Sequence, residues 1–436
     1  MAIKTRPPQT RSPRKNGAKA KKASAPKTGR PVTFASQWRR FWSWVEGTSS
    51  DTSYYLIMGS ALALTGIGLM MVLSASSVEQ ISSGAGPLSV FMKQGLFAIL
   101  GVAAMFVVSR LPLTLIKRVA PAAMIAILIA LAAVQVVGKS VAGNKNWIEV
   151  PGGLSLQPSE FAKLILVVFA GTVYAKQAKK LHRSAVAMVP VGVLGILTIL
   201  LVLLGKDLGT TTIVAAVLLA SMFFAGVRLK VIATLMIGGA VILGASALMS
   251  GNRTSRIGAW LGTNCEFDQC MQSTNALQGL GTGGLWGVGI GQSRQKWNRI
   301  PEAHNDFIFA IIGEELGLIG ALVVVALFVV LFFAGVRVLV RQHGVFERTV
   351  VGGILAWLVF QALVNVAMVI GVLPVIGVPL PFVSYGGSAL LSSLLAVGVL
   401  LAITRQTRDQ QKIIGAHEGA RPATGRTQKA GKSSTA

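Results

Sequence analysis

Asp306 stands in PEAHNDFIFAIIGEELG (301–317), where a long polar segment, 250–305, runs into an apolar one. A carboxylate at such a junction has two readings. It is a helix cap, since Asp at a helix start accepts from orphaned backbone N–H groups. Or it is a base, because a carboxylate facing both an aqueous cleft and the bilayer surface is placed to take a proton from the headgroup of a lipid substrate. In either role the helix dipole favours its ionised form. Residue type alone leaves the two readings level. Glu302 and His304 stand just before it. Glu314 and Glu315, two or three turns further on, lie deep enough that one of them needs a buried cation or polar backbone as partner.

Few other ionisable groups fall inside apolar runs. Lys93 lies near the outer end of one, and Glu160 and Lys163 open another within QPSEFAK (157–163). The i,i+3 spacing puts the last two on one helix face as an ion pair, which suits a lock between helices as well as it suits contact with a polar substrate. Asp207, in GKDLGTT, precedes an apolar run and is best read as its cap. The 250–305 segment contributes Arg253, Arg256, Arg294, Lys296 and Arg299, together with the run GLGTGGLWGVGIGQS (279–293). That run has the glycine content of a phosphate cradle. With no strand before it, a flexible loop is the better reading. Cys265 and Cys270 are the two cysteines of the chain; on an oxidising side they are close enough in sequence to form a small disulfide loop, a pairing the sequence leaves open. A zinc site would need two further ligands at suitable spacing.

A membrane must position these groups. Of 436 residues, 53% are apolar and only 13% charged, against about 25% charged in soluble domains. Ten apolar runs approach the ~20 residues a spanning helix needs: 54–75, 90–108, 119–138, 158–175, 186–204, 208–226, 230–249, 306–334, 350–371 and 383–403. The pair around GKDLG is the least separated and is compatible with one long broken helix. An even number puts both termini on one side. With the N-terminus in the cytoplasm, the inner loops 109–118, 176–185, 227–230 and 335–349 hold 12 Lys/Arg, and the short outer loops hold only Lys139, Lys145 and Lys206. That asymmetry fixes the orientation and makes 250–305, between the seventh and eighth runs, a large extracytoplasmic loop. The expected fold is an all-α polytopic membrane protein.

The net charge of +26 is mostly tail and inner-loop charge. Residues 1–50 hold 12 Lys/Arg against one acid, and 404–436 hold seven against two. This distribution argues against nucleic-acid binding by a folded basic domain. Both tails, 1–50 and 405–436, lack periodicity and are expected to be disordered around a membrane domain of 51–404. No signal-peptide pattern opens the chain, and WRRFWSWV (38–45) suits the headgroup level of the inner leaflet.

Four separated stretches carry a family resemblance: GNKNWIEVPGGLSLQPSEFAKL (143–164), KDLGTT (206–211), KWNRIPEAHNDFIFAIIGEELGLIG (296–320) and NVAMVIGVLPVIGVPLPFVSYGGSALL (365–391). In this order they resemble the SEDS family (shape, elongation, division and sporulation) with its FtsW, RodA and SpoVE groups. PEAHNDFIFAIIGEELG is more similar to the FtsW group, and KDLGTT with the basic N-terminal tail to its actinobacterial kind. The resemblance implies a ten-helix glycosyltransferase that polymerises lipid II into β-1,4 glycan at the outer face of the cytoplasmic membrane, at the division septum. It implies as partners the growing glycan strand, a class B penicillin-binding transpeptidase, other division proteins and membrane lipids. It places the family's catalytic aspartate on Asp306 and its functional tryptophan on Trp147. Glu160 and Lys163 fall on its Q-P-S-E-x-x-K motif, which raises the cavity reading of that pair, and His304 and Ser384 fall in its substrate-contact motifs. KDLG departs from the family's commoner P-D-L-G, which leaves the role of Asp207 open.

Joining an α-linked pyrophosphoryl sugar into a β-linked polymer inverts the anomeric centre, so one base suffices. The leaving pyrophosphate calls for positive charge rather than an acid. Lys93, Arg253, Arg256, Arg294 and Lys296 are the cations on hand, and a divalent ion, Mg or Mn, is an optional aid. Two other readings stand beside this one. The first is a lipid II flippase, for which the Glu160/Lys163 pair would line a headgroup pathway, although the halves show no internal repeat. The second is the elongation-type, RodA-like polymerase.

Overall fold

The computed structural model describes residues 50–419 apart from 83, 85, 87, 142–143, 151–153, 182, 184–187, 249–250, 264–266 and 297–303. The N-terminal tail and the WRRFWSWV segment lie outside the described residues. Twelve α-helices are described: α1 (Ser50–Ser82), α2 (Ser89–Arg110), α3 (Leu113–Val137), α4 (Pro158–Lys176), α5 (Val193–Leu204), α6 (Leu208–Ala225), α7 (Leu229–Leu248), α8 (Gly251–Leu261), α9 (Phe267–Gly283), α10 (Ile308–Val340), α11 (Val345–Val369) and α12 (Gly387–Gly419). Between α3 and α4 the chain forms a small antiparallel sheet in the order β1 (Lys139–Val141), β2 (Asn144–Val150), β3 (Leu154–Leu156). The all-α expectation holds apart from this sheet, which occupies what reads in sequence as a loop.

Among the described residues nine helices are long and apolar enough to cross a membrane: α1 to α4, α6, α7 and α10 to α12. The expected span at 186–204 is a shorter apolar helix, Met188–Leu204. Its first turn is interrupted at Val189 (φ −112°, ψ 125°), ahead of Pro190, which cannot donate into a helical ladder. At GKDLG the chain makes two helices, not one. α5 ends at Leu204, Lys206 takes a positive φ of 64°, and Asp207 caps α6 by accepting from Thr210 N–H at 2.8 Å. Gly226 (φ 86°) then closes α6 in the left-handed conformation that glycine adopts without strain. Two further expectations are corrected. α12 continues past 404 to Gly419, and 250–305 contains α8 and α9.

Hydropathy and burial sort the helices by neighbour. α4 is the least apolar of the nine, with mean hydropathy 1.3, yet its span is 72% buried; α10 is the most apolar at 3.1 and only 28% buried. Lipid demands apolarity of a helix it surrounds, whereas a helix enclosed by protein can carry polar groups if they are paired. α4, α11 and α12 therefore form the interior, and the buried polar residues Glu160, Lys163, Gln361 and Asn365 lie on α4 and α11.

Loop contacts divide the molecule into two ends. At one end Lys117 pairs with Glu347 (3.0 Å), an Arg405 guanidinium N–H donates to Arg110 O (2.9 Å), and Arg408 pairs with Asp51 (2.8 Å). At the other, Asn146 Nδ2 donates to Asp207 (3.0 Å), Arg256 reaches Val375 O (3.4 Å) and Trp260 Nε1 donates to Gly371 O (2.9 Å). This partition agrees with the one drawn from loop charges.

Candidate functional site

The 371–386 segment between α11 and α12 is irregular backbone, and side chains from the interior tie it down. Gln361 Nε2 donates to Pro379 O (2.8 Å), and Asn365 Nδ2 donates to Val378 O (2.7 Å). Gln94 on α2 donates to Ser384 O (3.3 Å) and accepts from Gly386 N–H (3.2 Å). Ser384 Oγ accepts from Leu380 N–H (2.8 Å). Two helices press directly on this segment. A Cβ on Gly209 would sit 2.5 Å from Ile376 O, and one on Gly68 would sit 2.6 Å from Phe382 O, so only glycine permits either approach.

Asp306 is set against this tethered segment. Its backbone carbonyl accepts from Asn365 Nδ2 at 2.8 Å, the same amide that holds Val378. Its Oδ2 lies 3.4 Å from the point a Cβ would occupy on Gly377, whose φ of 69° also requires glycine. The neighbouring turn is fixed by Tyr385 N–H donating to His304 O (3.0 Å) and by the His304 and Tyr385 rings at 5.2 Å. Asp306 is partly exposed. The N-cap position of α10 is Phe307, so Asp306 lies one residue before the place a capping side chain occupies.

Behind the tethers is a buried charge pair. Lys163 Nζ lies 2.8 Å from Glu160, donates to Gln361 Oε1 at 2.9 Å and lies 4.9 Å from the Trp357 ring centroid. Trp357 Nε1 also donates to Gln361 Oε1 (2.7 Å). Glu160 and Lys163 are 2% and 1% exposed, and Gln361 links Lys163 to the 371–386 segment. A second set links the sheet to α6. Asn146 and Gln157 amides donate to Asp207 Oδ2 (3.0 and 3.3 Å), and Gln157 N–H donates to Ser388 Oγ (2.9 Å). Burial pushes the Asp207 carboxyl above its ordinary range, opposed by the Thr210 N–H hydrogen bond. Trp147, half-buried on β2 beside Asn146, faces Lys139 of β1 in the register.

Glu314 and Glu315 both find the partners their depth requires. Glu315 accepts from Ser74 Oγ (2.7 Å) and pairs with Lys296 (3.2 Å). Glu314 accepts from Ser293 Oγ and from Arg294 N–H (2.9 Å). Lys296 also donates to Gly291 O (2.6 Å) and Ser74 Oγ (3.3 Å). This corrects its expected place among the pyrophosphate cations, since all three ammonium protons have protein acceptors. Ser384 and His304 are likewise buried, and each contacts the 371–386 segment. Lys93 and Arg294 are exposed, and half-buried Arg256 reaches the loop two residues from Gly377. The side chain of Arg253, Arg299 and the Cys265/Cys270 pair lie outside the described residues. Among the described residues no three His, Cys, Asp or Glu side chains gather as a metal site.

Sequence reading by charge overlooked Gln94, Gln361 and Asn365. A search for uncharged amides inside apolar runs finds them, and the i,i+4 spacing of Gln361 and Asn365 places both on one face of α11.

Nine apolar helices among the described residues, around a hydrogen-bonded polar interior with a partly exposed aspartate beside a tethered loop at one end, define a polytopic membrane protein with a candidate active site at a membrane boundary. The chain belongs to the cell cycle protein family of FtsW, RodA and SpoVE, whose model matches residues 54–409. It is 34% identical over 388 residues to the probable peptidoglycan glycosyltransferase FtsW of Mycobacterium tuberculosis, covering 88% of this chain and 72% of that one. It is 35% identical over 366 residues to the stage V sporulation protein E of Bacillus subtilis, covering 83% and 98%. Among solved structures, the rod shape determining protein RodA of Thermus thermophilus superposes with TM-score 0.60 at 25% identity, over 81% of this chain and 97% of that one. A structure described as coordinating polymerization and crosslinking in a peptidoglycan synthase complex superposes with TM-score 0.63 at 24% identity, over 80% and 97%, and bears on the fold alone. The chain is a membrane glycosyltransferase of peptidoglycan synthesis.

Proposed function

We propose that this chain polymerises lipid II at the outer face of the cytoplasmic membrane during septal synthesis, with both termini in the cytoplasm and Asp306 as the base. The observation that carries the proposal is the placement of Asp306: partly exposed, at the end where 250–305 and 371–386 meet, with its backbone anchored by Asn365. Asp306 accepts the proton of the acceptor GlcNAc 4-hydroxyl as that oxygen attacks the anomeric carbon of the donor in line. The bond to pyrophosphate breaks with inversion, and undecaprenyl pyrophosphate leaves. Lys93, Arg256 and Arg294 are the described cations open to its phosphates, and Arg suits paired phosphate oxygens better than Lys does. A divalent ion, Mg or Mn, would add positive charge at the leaving pyrophosphate if bound there. The FtsW names among the relatives support the septal role, and a class B penicillin-binding transpeptidase is the partner this reading calls for, since polymerised strands need crosslinking.

The test is reconstitution of the purified chain in liposomes with fluorescent lipid II, with and without a class B transpeptidase. Glycan ladders that vanish with Asp306→Asn are expected. Lipid scrambling without polymer would mean transport instead, and undiminished ladders from Asp306→Asn would remove that residue from the base role.

A further inference from the structure

The run 279–293, GLGTGGLWGVGIGQS, carries no charge. It does not form the flexible loop its composition suggests. Leaving α9, it folds back along α10 and exchanges backbone hydrogen bonds with it: Val288 N–H donates to Glu314 O (2.9 Å) and Gly289 N–H to Glu315 O (3.1 Å). In return Gly284 O accepts from Leu318 N–H (2.9 Å) and Leu285 O from Ile319 N–H (3.3 Å). α10 opens for this exchange at Gly317 (φ 68°, ψ −169°), and a Cβ on Gly287 would collide with Glu315 O. Lys296 fastens the far end through Gly291 O. Peptide groups are thus satisfied inward while large apolar side chains point out. Trp286 is 82% exposed and Ile290 61%, with Leu285 and Val288 beside them.

The position of Gly317 along α10 says what meets those side chains. Residues 318–336 are 19 consecutive uncharged residues, closed by Arg337. At ~1.5 Å per residue they cover about 28 Å, close to the ~30 Å of a hydrocarbon core. The break therefore falls at one hydrocarbon boundary, and exposed Leu318, Ile319 and Leu322 continue the apolar surface of the loop straight into the lipid-facing side of α10. Irregular backbone is tolerated at that depth when protein satisfies its polar groups, and tryptophan favours that level.

We propose that 284–291 is a wedge seated among the acyl chains of one leaflet, the outer one by the loop charges, with Trp286 at the headgroup boundary. The test uses the full-length chain carrying 5-fluorotryptophan in nanodiscs. The ¹⁹F resonance of Trp286 is the one missing from Trp286→Phe, or from Trp286→Leu if the first variant melts differently from wild type. A lipid bearing a nitroxide near the top of its acyl chain should broaden that resonance away, while a water-soluble gadolinium chelate should spare it. Broadening by gadolinium and none by the lipid would overturn the proposal. So would protection from gadolinium that appears only when a transpeptidase is added, since the occupant would then be protein.

Discussion

Three carboxylates within ten residues of one segment have opposite circumstances. Glu314 and Glu315 are each 1% exposed, and their oxygens meet Ser293, Arg294 N–H, Ser74 and Lys296. Asp306, two turns nearer the helix start, is partly exposed and is held by its backbone through Asn365. The first two join α10 to α1 and to the glycine run. The third lies beside the 371–386 segment, with its Oδ2 3.4 Å from the Cβ position of Gly377. In a membrane protein a carboxylate inside an apolar stretch is therefore no guide to chemistry by itself; its burial has to be known as well.

The comparison breaks most sharply at Asp306. Asp306→Asn should lower polymerisation of lipid II by about 10²–10⁴-fold, the usual contribution of a general base, with an unchanged melting temperature in detergent. Glu315→Gln should do the reverse. Leaving the Lys296 ammonium buried without its carboxylate costs about 3–5 kcal/mol, read as a lower melting temperature, while the rate per folded molecule holds; adding Lys296→Met should recover part of the loss. Asn365→Ala lies between the two. It strands two buried carbonyls at a cost of about 1–3 kcal/mol and should lower kcat more than it raises KM, because the Asp306 backbone loses its tether. The smallest effect belongs to Asp207→Asn, which should keep most of the α6 cap, whereas Asp207→Ala also strands the Asn146 and Gln157 amides and should lose about 1–3 kcal/mol, measurable in the same melts.

Much of this organisation was legible in the sequence, for reasons that can be named. Apolar length and loop charge found nine of the crossing helices and the two ends, because lipid imposes both rules directly. The cap at Asp207 followed from residue type and position. The helix at 186–204 came out shorter than its hydropathy suggests, because hydropathy does not register the interruption at Val189 before Pro190. Lys296 misled because a cation in a polar segment reads as available until the fold brings Glu315, Ser74 and Gly291 to it. The tethers Gln94, Gln361 and Asn365 escaped notice since amides inside apolar runs carry no charge. Their role exists only once α2 and α11 flank the 371–386 segment.

The most direct measurement places the two kinds of carboxylate side by side: glycan formed from fluorescent lipid II by reconstituted Asp306→Asn and Glu315→Gln chains, each normalised to folded protein. The account predicts that Asp306→Asn makes no detectable polymer and that Glu315→Gln polymerises at the wild-type rate per folded molecule. Polymer from the first, or a folded but inactive second, would contradict it.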